Sequence, residues 1–489
     1  MEDITFDDSL LDDEREEITT LSEQLIRVQF ANAKKWAYYD GEAGIKNIGI
    51  AIPETMINVE SVVGWPEIVV DTLDERLDWI GWEGGLSEND LDELNRACQA
   101  ANLIAEFDKA KLDSLVTGVG FLSLTAGDTE AGETKVVAHA VSSSHATYRW
   151  DDRRGRVASA IHLQKGTKGE KITTFYKPDE TVVHVVDQDG TERTKRSWHG
   201  RGRCSLAVIE NKKRAGDMRG KSELSRAIRY YTDHAVRTIL GMEYNREIYT
   251  TPQRWFKNMD PEQLGFEETD SPWDRVNKGY KAAMNRVVIM PPNEEGDKAE
   301  PSTGQYTPAS PAPYIAELEM LSKLVAAQAG IPVSHFGFAT QNPPSADAIA
   351  ALESRHVKIA ERRQSTFGHV LVHDVAYIIQ SILDGKPADP EFIASISAKW
   401  VPAGTPTPAA AADAAIKLKD LVAEGSEVLL ERAGFTRTQI QRIMQERASN
   451  RTYSLIEALR ERRLNVDEMA REMASQTTSR EAELGEFNG

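Results

Sequence analysis

Residues 215–222 read Ala-Gly-Asp-Met-Arg-Gly-Lys-Ser, a loose form of the phosphate-binding loop with Ala in place of its first Gly. In such a loop backbone N–H groups cradle phosphates, and the lysine, here Lys221, neutralises them. The flanks argue otherwise. A phosphate loop leaves a buried strand directly, but five polar residues, Glu210 to Arg214, separate the candidate strand Leu206–Ile209 from Ala215. No apolar strand ending in Asp follows downstream to hold Mg²⁺. The segment therefore reads as a basic turn that caps the next helix. His369 and His373 stand one helical turn apart with Asp374 beside them, a spacing that can bind a metal. The general-base glutamate of an HExxH pair is absent and the neighbours are apolar, so the pair reads as part of a packed helix and no metal is assigned. Gly118-Val119-Gly120 lacks the third glycine of a dinucleotide fingerprint and reads as a turn before a strand at Phe121. Residues 192–221 carry ten Lys or Arg against Glu192, Glu210 and Asp217. That excess could meet DNA. The favoured reading is a subunit interface facing an acidic neighbour such as residues 1–17. No nucleophile, base and orienting group form a set, so catalytic and cofactor-binding residues are none.

The chain that must position these groups has 489 residues, a soft prior of about three domains. Hydrophobic residues make up 40% and charged residues 28%, the balance of a folded protein. There are 77 acidic and 58 basic residues, a net charge of −19, which excludes a protein that clings to nucleic acid over its whole surface. Cys98 and Cys204 lie far apart and give neither a metal motif nor a disulfide framework, as expected in a reducing compartment. The N-terminus, MEDITFDDSLLDDEREE, has no signal-peptide core. No run of about 18 apolar residues predicts a membrane span.

Helical periodicity runs from Ile18 to about Tyr39, from Asp71 to Trp79, and from Glu88 to about Leu115 with Ser87 as N-cap. Strand patterns follow at Phe121–Leu124, Lys135–Ala140, Ala158–Gln164, Lys171–Tyr176, Thr181–Val186 and Leu206–Ile209. Ser222 opens a long helix whose apolar face is Leu224, Ile228, Tyr231, Ala235, Ile239 and Met242. Pro252 ends it. Residues 257–313 are turn-rich with one strand at Arg286–Met290. A second helix, Tyr314 to Ala329, stops at Gly330-Ile331-Pro332, and a very long one starts at Ala346 with Ser345 as N-cap and runs to about Leu383. Residues 401–409 have linker composition, helices are expected near Ala411–Arg432, Thr438–Glu446 and Leu455–Met473, and there is no internal repeat.

Six segments resemble, in order and spacing, the portal proteins of tailed bacteriophages, in particular the family found in phages of actinobacteria. They are Tyr38-Tyr39-Asp40-Gly41; Ile68 to Leu77; Leu115 to Phe121; Gly220-Lys221-Ser222-Glu223-Leu224; Thr251-Pro252-Gln253-Arg254-Trp255; and Gly330-Ile331-Pro332 with His335-Phe336-Gly337 and Asn342 to Ile349. The resemblance covers about residues 20–475. It implies an α+β portal fold: an acidic leader, 1–17, expected to be flexible; a mixed wing, 18–221; a first stem helix, 222–256; a loop-rich clip, 257–311; a second stem helix, 312–338; a tunnel loop, 339–345; a long helix and the rest of the wing, 346–400; a helical crown, 401–475; and a flexible tail, 476–489. It further implies a dodecameric ring at the portal vertex of the phage head, assembled in the host cytoplasm. The implied partners are double-stranded DNA without sequence specificity, the terminase large subunit, head-completion or adaptor proteins, and the capsid and scaffold proteins, with no membrane. Net acidity suits such a conduit, because DNA must slide rather than adhere.

Within the tunnel loop, Thr340, Gln341 and Asn342 are the expected DNA contacts. Their polar groups can bond phosphate oxygens without the salt-dependent adhesion of Lys or Arg. Two other functions compete: a packaging ATPase built on residues 215–222, and a head–tail adaptor of another fold, which would be much shorter and lack the helix–insert–helix layout.

Overall fold

The computed structural model describes residues 10–44, 61–84, 88–217, 219–250, 254–258, 271, 287–290, 300–307, 310–337 and 345–404, and, further on, 417, 430, 435, 439–440 and 442–447. The chain divides into two units, Met1–Ala403 and Gly404–Gly489. Helices and mostly antiparallel sheets alternate in blocks in the first, so the class is α+β.

Helix α1, Asp12–Tyr39, starts six residues before its expected beginning. Three acids, Asp12, Asp13 and Glu14, complement the positive end of the helix. The Leu11 N–H donates to the Glu14 carboxylate at 3.1 Å. The acidic run from Asp12 to Glu17 is thus helical rather than a loose leader. Helix α2, Trp65–Asp74, is also displaced toward the N-terminus. Pro66 fits its first turn, where a missing N–H costs nothing, and Trp79, expected at the helix end, opens strand β1, Trp79–Gly84. The single helix expected over 88–115 is two, α3 (Glu88–Ala100) and α4 (Leu103–Thr117), broken at Asn102 with φ of 50°.

Strand β2, Val119–Ala126, is the centre of an antiparallel sheet, flanked by β3 at Val136–Val141 and β9 at Leu206–Glu210. A five-stranded antiparallel meander holds β4 (Ala146–Asp151), β5 (Arg156–Lys165), β6 (Lys171–Tyr176), β7 (Glu180–Val186) and β8 (Glu192–Trp198). Helix α5 is Arg226–Thr250. A small sheet places β10 (Arg254–Lys257) between β11 (Val287–Met290) and β12 (Ser302–Gln305). Helix α6 is Ala312–Ala329 and α7 is Ala346–Val370. A six-residue π-helical stretch, Leu371–Ala376, joins α7 to α8, Tyr377–Asp384. Helix α9, Pro390–Ser395, leads into β13, Ile396–Trp400, which pairs with β1.

The largest core joins α2, α4, β2, α7 and α8 around a nest of aromatic rings. Trp79 meets Trp82 at 4.8 Å and Phe107 at 5.5 Å, and Phe107 meets Trp400 at 6.0 Å, all edge to face. Residues 351–384 are long and apolar enough to cross a bilayer by length and composition. Phe367, Leu371, Val375 and Ile379 of that stretch are buried in this core. In the second unit, residues 442–447 are helical, with Arg442 and Glu446 3.7 Å apart across one turn.

Candidate functional site

Residues 215–222 are a packing device. Gly118 has φ of 109°, and a Cβ placed there would come within 2.5 Å of the Gly220 carbonyl oxygen. A Cβ on Gly220 would in turn overlap the carbonyl oxygens of Gly118 and Asn211, and one on Gly120 would overlap that of Ala110. Three glycines therefore let α4, β2 and the 211–222 loop touch backbone to backbone. Several of the loop's donors are used internally. The Lys221 N–H donates to the Asn211 carbonyl at 2.6 Å and the Glu223 N–H to that of Leu115 at 2.9 Å. The Ser222 hydroxyl donates to the Val116 carbonyl at 2.5 Å and accepts from the Leu224 N–H. Lys221 Nζ lies 3.4 Å from Asp217. These groups cannot also cradle a phosphate, and α5 begins only at Arg226, four residues after the expected start.

The basic run of 192–221 meets acids of its own chain. Arg193 pairs with Asp187, Arg196 with Glu14, Arg203 with Asp374, Lys212 with Glu223, Lys213 with Glu210, and Arg214 and Lys221 with Asp217. Seven of the ten cations are thereby neutralised within the chain. The acid reached by Arg196 belongs to the first seventeen residues, so leader and basic run do meet, but intramolecularly.

Glu14 is the centre of this contact. It is 2% exposed, takes both Arg196 guanidinium nitrogens at 2.9 and 2.6 Å, and takes Lys177 at 2.9 Å. The Arg196 bonds, with Lys177 and the Leu11 amide, hold its carboxyl down at about 2. Further along α1, Gln29 donates to the Ser144 carbonyl at 2.7 Å and Asn32 to the Ser143 carbonyl at 3.2 Å. Lys35 donates to the Thr117 carbonyl. Asp113 on α4 accepts from the Ser143 amide at 2.5 Å and its hydroxyl at 3.0 Å. Burial raises the Asp113 carboxyl to about 6 and lowers the Lys35 ammonium to about 8, where Arg229 and Arg219 also repel it. Sequence reasoning missed Glu14, Lys35 and Asp113. Their partners lie up to 182 residues away, and no local pattern marks them.

His369 and His373 face each other with ring centroids 4.3 Å apart. Burial, and repulsion from His369 and Arg203, lower the His373 imidazole below its usual value. Asp374 points elsewhere, to Arg203 at 2.7 Å, and the Arg203 guanidinium lies over the Tyr377 ring. Among the described residues no three His, Cys, Asp or Glu side chains are grouped to hold a metal ion.

Helices α5 and α6 pack along a seam of Ile228, Ala235 and Val236 against Leu321, Val325 and Ala326, closed below by Trp65, Val69 and Phe336. They flank the small β10–β12 sheet, where Gly304 sits against the Trp255 ring. Helix α6 stops at Gly330, in the left-handed conformation, and the Ile331 N–H returns to the Ala326 carbonyl. Ser345 caps α7 by accepting from the Ala348 N–H at 3.3 Å. Thr340, Gln341 and Asn342, between these two ends, lie outside the described residues, as does most of 257–311.

No protein-family profile matches the chain. It is 29% identical to the portal protein of Mycobacterium phage L5 over 399 residues, 79% of this chain and 78% of that protein. It is likewise 29% identical to the portal protein of Mycobacterium phage D29 over 395 residues, 78% of this chain and 77% of that one. Along nearly four fifths of its length the chain is thus similar to the portal proteins of two mycobacterial phages.

Proposed function

We propose that the chain assembles into a dodecameric ring at one vertex of the phage head and serves as the conduit for double-stranded DNA during packaging and ejection. The observation that carries this is similarity along nearly four fifths of the chain to two phage portal proteins. The paired helices α5 and α6 support it, since they are the right elements for a two-helix stem and the segment between them is the right place for a clip. On this reading residues 18–221 and 346–400 form the wing, 257–311 the clip that docks the terminase large subunit and later the head-completion proteins, and 401–475 the crown. Thr340, Gln341 and Asn342 are the tunnel-loop contacts to DNA. No step of bond making or breaking is assigned to the chain.

Electron microscopy of the purified chain tests the reading. Annular particles with a central channel are expected. Particles without a channel, across a range of salt and protein concentrations, would overturn it.

A further inference from the structure

Most cations of the 192–221 run have a carboxylate of the same chain beside them. Helix α7 departs from this. Arg355, Lys358 and Arg362 recur at spacings of three and four, so they share one face, and all three are exposed. Arg355 donates to the Ala327 carbonyl at 3.1 Å, and among the described residues no acid pairs with it. Among the described residues the Lys358 and Arg362 side chains have no ion pair or hydrogen bond, and Glu361, the acid nearest in sequence, is not within ion-pairing distance of either. Ser365 and Thr366 continue the exposed strip with hydroxyls.

A row of cations unopposed among the described residues, in a chain of net charge −19, is complementary to an extended polyanion. At ~1.5 Å per residue, Arg355 lies about 14 Å and Arg362 about 24 Å along the helix from Ala346. The row begins ten residues after Ser345 in the sequence.

We propose that the Arg355–Lys358–Arg362 row contacts the phosphate backbone of duplex DNA. The proposal rests on the conduit reading above and adds to it a cationic row on α7. Such a row would neutralise phosphates without reading bases.

The test uses the full chain, with Lys358→Gln and Arg362→Gln combined. Arg355 is kept because it holds the Ala327 carbonyl. A second double variant, Arg153→Gln with Lys195→Gln, makes the same charge change on exposed positions of the five-stranded meander. A labelled duplex of about 40 base pairs, long enough for several phosphates to be engaged at once, is titrated at several salt concentrations. Assembly is followed by native mass spectrometry. The α7 variant should form the same oligomer as the parent and bind the duplex roughly tenfold more weakly, with a salt slope lower by about 0.9 for each phosphate no longer neutralised. The control should match the parent. Three results would overturn the proposal: unchanged affinity and slope in the α7 variant; equal weakening in both variants, which would reflect net charge alone; or failed assembly of the α7 variant with normal DNA binding by whatever rings remain, which would place the row against an acidic neighbour subunit. A parent that neither assembles nor binds the duplex would remove the conduit reading itself.

Discussion

Replacing Glu14 with glutamine should loosen the N-terminal half of α1 selectively. Its carboxylate is nearly inaccessible and receives Arg196 twice, Lys177 once and the Leu11 amide. A group whose folded value lies near 2, against an ordinary 4.5, contributes stability that is complete above 4.5 and is lost as pH falls through 2. The full shift corresponds to about 3 kcal/mol. Arg196 and Lys177 are 22% and 30% exposed, so water and salt recover part of this when the carboxylate is removed. A cost of about 2 kcal/mol for Glu14→Gln is the working figure, roughly a thirtyfold rise in local opening. Hydrogen exchange near neutral pH should show that rise in the α1 amides up to about Leu25, with the aromatic core around Trp79 unchanged. Acid titration should show the parent losing α1 protection between about 4.5 and 2, while the variant has little left to lose in that window. An α1 exchange rate within about threefold of the parent, or the same acid dependence in both proteins, would refute the argument that Glu14 anchors the helix.

Gly220→Ala should cost roughly 2–5 kcal/mol, because the new Cβ strikes two carbonyl oxygens and backbone must move; an unchanged thermal midpoint would contradict it. Lys221→Ala should leave DNA packaging nearly intact, since its N–H and ammonium serve the fold, and packaging abolished in variants that still form rings would reopen a nucleotide role. Deleting part of Asn293–Ser310 should spare ring assembly and weaken terminase association in a pull-down; full association would remove the clip assignment. Replacing Thr340, Gln341 and Asn342 with alanine should permit assembly and the start of packaging but leave heads incompletely filled or leaking, and heads that fill and retain DNA normally would rule out contact by these side chains.

Elements set by local chemistry are readable from the residues alone. Ser345 caps α7 and Gly330 stops α6 because a hydroxyl acceptor and a left-handed residue each satisfy backbone groups within one turn. The alternating strands Lys171–Tyr176 and Leu206–Glu210 also stand where their pattern puts them. What depends on distant partners is not readable. The start of α1 is decided by Arg196 and Lys177, far along the chain, and the break at Asn102 has no Gly or Pro to announce it. Residues 215–222 carry a phosphate-loop pattern because Gly220 and Ser222 lock that loop against Gly118 and Val116, a demand visible only once the backbones are side by side. Strand β8, Glu192–Trp198, is hidden in the sequence by its charges: it is an edge strand, and its outward positions are Arg193, Lys195 and Ser197.

A conduit for DNA requires that this chain close into a ring. Native mass spectrometry of the purified protein measures that directly. A single high-mass species at twelve times the 54.3 kDa chain, roughly 650 kDa, is expected to persist over a range of salt concentrations. A protein that stays at the mass of a monomer or dimer under all of them would contradict it.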